Sequence, residues 1–327
     1  DEGTNMKAIR VRHTGAPEVM ELVEVAVPQP KGSEAVIKVN VAGVNSIDGQ
    51  FRDGRLRTPL PFTPGQEGAG VVRALGPQVK ALKVGDRVAW SGTLGSYAEY
   101  VAAPEEHLVP VPAEVSDEQA TAAMMHGLTA HYLVNDAHKL KAGETALVHA
   151  AAGGVGLLVV QMAHAIGARV IGTASSDEKA KLAKDAGADE VIVFTRQDFE
   201  TEVKHLTDGK GVDVVYDGVG KATFEKNLNV MRTRGMLVIY GMSSGAVPPV
   251  DPAKLSEKGS LYMARTTLAH FTATRQELLA RTSALFHMIA DGKLHTRIAK
   301  KYPLADAVQA HHDMEARKLA GKLLLIP

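Results

Sequence analysis

From Met6 to about Val115 the apolar positions come in short, β-branched runs cut off by proline or glycine: "AVIKVNVAGVN", "EGAGVVRALG", "DRVAWSG", "SYAEYVAAP" and "HLVPVP". Runs of this length and spacing predict an antiparallel, barrel-like β domain. At Ser116 the rhythm changes. Ser116-Asp-Glu-Gln leads into the helical run "ATAAMMHGLTAHYLV", with acidic residues in the first turn, where they suit the positive end of the helix dipole. From Thr145 to about Met263 β-branched strands alternate with amphipathic helices, the pattern of a parallel sheet. The predicted strands are Thr145–His149, Arg169–Thr173, Glu190–Phe194, Val212–Tyr216, Met236–Tyr240 and Ser260–Met263, enough for a complete doubly wound domain. Helices are expected over "GLLVVQMAHAIG", "DEKAKLAKDAGA" and "KATFEKNLNVMR", then over Arg275–Asp291 and around Ala305–Arg317, before a closing strand Lys322–Ile326 that returns to the β domain.

Composition narrows the classes. A chain of 327 residues exceeds what one core usually organises, and 45% hydrophobic with 23% charged residues is a globular balance. Lys plus Arg equals Asp plus Glu at 37 each, with 5% aromatics, so no electrostatic footprint for nucleic acid is present. The absence of cysteine excludes disulfides, iron–sulfur clusters, cysteine nucleophiles and thiolate-ligated zinc. The longest apolar stretch, Val155–Ala165, is broken by Gln161 and His164 and falls short of the roughly 20 residues that span a bilayer. The chain is therefore expected in the cytoplasm, with no membrane partner, and Asp1–Asn5 reads as an artificial remnant ahead of Met6.

The segment "TALVHAAAGGVGLLVVQMAHAIG" supplies strand, small-residue loop and helix in the order a pyrophosphate site needs. Laid on GxGxxG the loop is Ala151-x-Gly153-x-x-Gly156, with alanine for the first glycine. An ordinary tight βα turn is the competing reading, and the six-strand context favours the dinucleotide loop. A carboxylate at the end of the second strand would accept from a free ribose 2′-hydroxyl and repel a 2′-phosphate. "IGTASSDEK" puts Ser175 and Ser176 there, so NADP is favoured, with Lys179 to supply positive charge; Asp177 is either the acid of the helix N-terminus or an opponent of the phosphate. "GMSSG" matches the nucleophile elbow GxSxG, but "AVPPVDP" follows it, and an elbow needs a helix at that point.

Together "AGVNSID", "PGQEGAG", "GDRV", "GLTA", "HAAAGGVG", "GTASSDEK", "YDGVG", "GMSSGAV" and terminal "KLLLIP" resemble the zeta-crystallin-like quinone oxidoreductases of the medium-chain dehydrogenase/reductase superfamily over nearly the whole chain. The resemblance implies an α/β fold: a Rossmann doubly wound parallel sheet that binds NADPH, plus a GroES-like, β-barrel-type catalytic domain. Residues 1–121 and 266–327 would form the catalytic domain and 122–265 the Rossmann domain, in a homodimer. It implies cofactor contacts at Asn45, Thr129, Gly153, Gly154, Val155, Gly156, Thr173, Ser175, Lys179, Phe194, Val219, Tyr240, Gly241, Met242, Ser243, Arg265, Thr266, Thr267 and Arg317. Close bacterial relatives have tyrosine where Phe194 stands, and two pocket tyrosines of the relatives are replaced by Gln50 and Leu56.

Zinc enzymes of this superfamily ligate the metal with cysteines and a GHE motif. Here those places read Asn45 or Ser46 and Gln66-Glu67, so no metal is expected. His126 and His131, and the adjacent His311 and His312, are not spaced to share a metal from one helix face, and His149 is expected to support the loop. Without metal, hydride transfer relies on placing the nicotinamide against an electron-poor acceptor, a quinone or another conjugated carbonyl compound. Asn45 is the first candidate for a hydrogen bond to the acceptor or the nicotinamide edge and Thr129 the second, with Gln50, Phe51 and Leu56 lining the substrate pocket. The competing activity is reduction of a 2-alkenal or an enoyl thioester, with Arg52, Arg55 and Arg57 available to a coenzyme phosphate; the non-enzymatic alternative is an RNA-binding or structural, crystallin-like role.

Overall fold

In a computed structural model that describes residues 3–327, the first third of the chain forms β1 (Asn5–Val11), β2 (Met20–Ala26), β3 (Glu34–Val44), the short helix α1 (Ser46–Arg52), β4 (Glu67–Leu75), β5 (Arg87–Ser91), β6 (Tyr100–Pro104) and β7 (Val109–Pro110). β1 and β2 pair antiparallel, and Asn5 opposite Ala26 is already in the ladder, so part of the expected remnant extends β1. β3 pairs antiparallel with both β4 and β6, and β4 continues through β5 to β7. Consecutive residues of β3 are buried over most of its length, so both of its faces are covered, which explains the nearly continuous apolar run. Ile37, Val39, Trp90, Tyr97 and Leu108 meet in the core of this layer. The next helix, α2 (Asp117–Tyr132), opens on a reciprocal cap: Gln119 N donates to Ser116 Oγ at 3.1 Å while Ser116 N donates to Gln119 Oε1 at 2.9 Å.

The alternating segment follows as β8 (Thr145–Val148), α3 (Gly154–Ile166), β9 (Arg169–Ala174), α4 (Asp177–Ala186), β10 (Glu190–Val193), α5 (Phe199–Leu206), β11 (Val212–Asp217), α6 (Phe224–Val230), β12 (Met231–Ile239), α7 (Pro252–Glu257), β13 (Tyr262–Arg265) and α8 (Leu268–Phe271). The six strands are parallel in the order β10-β9-β8-β11-β12-β13. Strand order therefore reverses between β8 and β11, the topological switch point where open α/β sheets bind ligands beyond their carboxyl ends. Several details differ from the expectation, among them the short helices α7 and α8, which were not expected. α6 stops at Val230 and passes directly into β12, so the helix expected over "KATFEKNLNVMR" is shorter and the strand starts at Met231. α5 is additional; it buries Phe199 and Val203, four apart on one face.

The chain then forms α9 (Arg275–Ala290), β14 (Ile298–Pro303), α10 (Ala307–Ala316) and β15 (Lys322–Ile326). β15 pairs antiparallel with β3 and parallel with the additional strand β14, so the closing strand does return to the β domain. The described residues form two compact units, one of the residues up to 125 with 274–327 and one of residues 126–273. These junctions lie a few residues beyond the expected 121 and 265, the first inside α2, whose pattern runs on without a break. Among the described residues no helix is long and apolar enough to cross a membrane.

Candidate active site

The small-residue loop follows β8 at the switch point. Ala150 is left-handed (φ 48°), and its carbonyl accepts from Gly153 N at 2.8 Å, which closes the turn into α3. A Cβ on Gly156 would lie 2.1 Å from Ala150 O, so only glycine lets the first turn of α3 come this close. The alanine at the first glycine position also has a physical account: a Cβ on Gly172 of β9 would lie 2.7 Å from the Ala151 Cβ. The missing side chain has moved to the neighbouring strand, which makes room for Ala151. His126, read from the sequence as a packed or surface histidine, packs its ring over Gly154 at the start of α3. Such a loop, with free N–H groups at the N-terminus of a helix of 13 residues, fits a pyrophosphate.

The other expected cofactor residues of the second unit stand at the carboxyl ends of the parallel strands: Thr173 and Ser175 at β9, Phe194 at β10, Val219 after β11, Tyr240, Gly241, Met242 and Ser243 after β12, and Arg265, Thr266 and Thr267 at β13. Backbone bonds tie these ends together, Ala151 N to Thr173 O (2.9 Å), Phe194 N to Ala174 O (3.1 Å), Tyr240 N to Asp217 O (2.9 Å), Ser243 N to Gly218 O (3.1 Å) and Thr266 N to Ile239 O (3.0 Å). The Thr266 hydroxyl pairs with Tyr132 Oη at 2.7 Å, which gives it a structural partner. "GMSSG" is followed by chain outside any helix or strand before α7, and the Ser244 hydroxyl donates to Val219 O at 2.7 Å.

At the end of β9, Ser176 caps α4 by accepting from Lys179 N at 3.2 Å, which leaves Ser175 as the strand-end residue. Asp177 is turned to Arg196, whose Nη2 donates to its carboxylate at 2.5 Å, and this bond holds its pKa below the usual range. Arg196 was missed from the sequence: it lies beyond β10 and follows no motif. With it this end of the sheet carries Lys179 and Arg196, and of the two acids in the first turn of α4, Asp177 and Glu178, the first is paired with the guanidinium. Phe194 is 51% exposed and offers its ring at this rim without a hydroxyl.

In the first unit Asn45 stands at the N-cap of α1. Its Nδ2 donates to Glu67 Oε1 at 3.0 Å, and its Oδ1 accepts from Lys322 Nζ at 2.6 Å. Lys322 and Glu67 form a fully buried ion pair at 2.8 Å, and the second Glu67 oxygen accepts from Met125 N at 2.6 Å. Neither Lys322 nor Glu67 was among the expected site residues. Lys322 is remote in sequence and reaches the site only because β15 pairs beside β3. The donor set at the superfamily's metal position does not fit zinc: carboxamides replace thiolate and imidazole, and an ammonium group already neutralises the one carboxylate.

Behind α1 runs a second buried chain. Arg52, which is 3% exposed, donates to Gly15 O (3.1 Å), His311 Nδ1 (2.5 Å) and Glu315 Oε1 (2.6 Å). A guanidinium only donates, so His311 Nδ1 carries no proton and Nε2–H donates to Tyr97 Oη (2.9 Å), which donates to Asp48 Oδ2 (3.0 Å). Burial, reinforced by Arg52, drops the His311 pKa to about 3, and burial pushes Asp48 up to about 7. Arg52 is thus committed internally, which corrects its assignment to a coenzyme phosphate, and Arg55 is paired with Asp53 at 2.7 Å. Of the three pocket candidates, Phe51 packs on the first unit's core, while Leu56 N donates to Gln50 O at 2.9 Å, a backbone bond that holds the other two near each other. Arg317 caps α10 with a left-handed φ of 53°, in the first unit, and Thr129 lies on α2 in the second.

Residues 31–113 match the alcohol dehydrogenase GroES-like domain family, and residues 154–284 match the zinc-binding dehydrogenase family. A quinone oxidoreductase of Pseudomonas aeruginosa is 43% identical, with 98% of this chain and 99% of the relative covered. A 2-haloacrylate reductase of a Burkholderia species is 38% identical, covering 97% and 98%. Among solved structures, an Escherichia coli quinone oxidoreductase complexed with NADPH superposes with a TM-score of 0.95 at 41% identity, over 98% of this chain and all of that one.

Proposed function

The chain belongs to the quinone oxidoreductases of the medium-chain dehydrogenase/reductase superfamily, and from that premise we propose that it binds NADPH on its second unit and reduces quinones by hydride transfer without a metal. The observation that carries the cofactor half is the end of β9: a serine, Ser175, stands where a ribose-binding carboxylate would, Asp177 is held by Arg196, and Lys179 and Arg196 supply positive charge that suits a 2′-phosphate. When bound, NADPH supplies the hydride. The residues of this chain hold it and prepare the acceptor.

Asn45 is the assigned acceptor ligand. Lys322 takes its carbonyl oxygen and Glu67 takes one Nδ2 hydrogen, so the amide cannot flip, and its other Nδ2 hydrogen is the donor to a quinone oxygen that gains negative charge. The ammonium behind the carbonyl strengthens that donation. Thr129 is the second assigned contact, and Gln50 and Leu56 are assigned to the pocket wall. The proton that completes the hydroquinone comes from solvent. The Asn45→Ala variant is expected to lower kcat/KM for the quinone about 100-fold.

A second reading, reduction of an activated C=C bond, is favoured by the 2-haloacrylate reductase among the relatives. Steady-state assays with NADPH across quinones, 2-alkenals, 2-haloacrylates and enoyl thioesters separate the two: turnover is expected with 1,4-benzoquinone or 9,10-phenanthrenequinone, and failure with every quinone overturns the proposal. The enzyme is proposed to act as a homodimer. β13 ends the six-stranded order and carries Tyr262, 61% exposed, beside exposed Met263, an apolar edge that a second copy would cover. A monomer mass by light scattering would refute this.

A further inference from the structure

Beneath the switch point a buried carboxylate organises two loops. Asp217, at the end of β11, accepts from Val219 N at 2.6 Å and Gly220 N at 3.3 Å on Oδ1, and from the Thr223 hydroxyl and Asn227 Nδ2 (2.6 Å) on Oδ2. A carboxylate surrounded by donors accepts only, so the amide of Asn227 is fixed with Nδ2 toward Asp217 and Oδ1 toward His149 Nε2 at 2.7 Å. That nitrogen must therefore carry a proton. His149 is fully buried, burial keeps it neutral, and so its Nδ1 is a bare acceptor facing Thr173 Oγ1 at 3.0 Å. The Thr173 hydroxyl spends its only proton on His149 and in turn accepts from Ala150 N at 3.3 Å. Ala150 is the left-handed residue that opens the small-residue loop, and a non-glycine residue stays in that region only where its surroundings over-determine it.

Each donor direction in this chain follows from the one before. We propose that His149 and Asn227 are positioning residues for NADPH: through Thr173 they hold the Ala150 amide and the loop into α3, and through Asp217 they tie that loop to the one after β11. The inference rests on the NADPH reading above. It also reassigns Thr173. Its hydroxyl has no proton left for a phosphate, so it supports the loop from below rather than donating to the cofactor.

The test uses the full-length protein as wild type, His149→Phe, Asn227→Leu, Thr173→Val and the double variant H149F/T173V. Phenylalanine retains the edge-to-face packing of position 149 on Phe199, now at 4.7 Å between centroids. Each single change is expected to raise the Kd and KM for NADPH about tenfold, with kcat at saturating NADPH changed less than about twofold. The double variant is expected to bind no worse than either single, because both break one chain. Amide hydrogen exchange at Ala150 in the cofactor-free protein should speed up in H149F, and N227L reads the same two quantities should H149F fold poorly. Unchanged Ala150 exchange, NADPH binding by H149F as tight as wild type, or multiplying effects in the double variant overturns the inference. A wild type that does not bind NADPH sinks the functional reading instead, and the exchange measurement still decides whether the chain supports the loop.

Discussion

Glu67 in the first unit and Asp217 in the second are both fully buried carboxylates with an asparagine amide against them, and they are satisfied in opposite ways. Glu67 is balanced by charge, the ammonium of Lys322 at 2.8 Å, with one backbone amide in addition. Asp217 has dipoles only: two backbone amides, a hydroxyl and a carboxamide. A charge pair needs one partner from anywhere in the chain, and here the partner is supplied by the last strand. A dipole cage must be built from local loops, so the carboxylate becomes coupled to where those loops sit. The first arrangement aims a single side chain, Asn45. The second shapes the backbone that receives a cofactor.

The difference is tested most severely by Lys322→Met, which strands the Glu67 charge. A loss of about 3–5 kcal/mol is expected in denaturant unfolding, followed by the fluorescence of Trp90, the sole tryptophan, buried in the first unit. Adding Glu67→Gln should recover most of that loss. Asp217→Asn removes no counter-charge and turns one acceptor into a donor facing donors, so a smaller loss of about 1–3 kcal/mol is expected. Equal losses for the two variants would break the comparison.

A pH experiment sharpens the view of the first unit. An unfolded histidine takes up a proton below about pH 6.5, whereas folded His311 waits until about 3, so acidification from pH 7.5 to 5 removes stability through it. Asp48 acts with the opposite sign: folded, it binds its proton near 7, and the unfolded carboxyl only near 3.8, so the same acidification adds stability. The two nearly cancel in the wild type. Asp48→Asn keeps the acceptor for Tyr97 and Asn45 N but no longer titrates, and its stability should fall about 2 kcal/mol more than that of wild type between pH 7.5 and 5. An identical pH slope in both proteins would contradict the assignment to Asp48. The smallest effect belongs to the rim of β9, where Arg196→Ala should cut the preference for NADPH over NADH about tenfold, read as the ratio of kcat/KM values.

What could be read from the sequence was local. Six parallel strands and the small-residue loop each lie in one continuous segment whose periodicity or composition is set by its own burial, and the structure has them within a few residues. The terminal "KLLLIP" could be read as a strand but not its lysine as a site residue, because Lys322 meets Glu67 only through the pairing of β15 with β3. Arg52 is the converse case. Its neighbours Arg55 and Arg57 are exposed, so an arginine cluster suggested a phosphate, and only the packing of α10 on α1 shows one of the three turned inward to His311 and Glu315. Ala151 looked like a flaw in the glycine pattern until Gly172, on another strand, was seen to provide the space.

The most direct measurement compares NADPH with NADH, at equal concentration, in steady-state reduction of 1,4-benzoquinone by the wild-type protein. Faster turnover with NADPH, by about tenfold or more in kcat/KM, is the result expected from Ser175, Lys179 and Arg196. Equal turnover with the two cofactors, or none with either, would contradict the account.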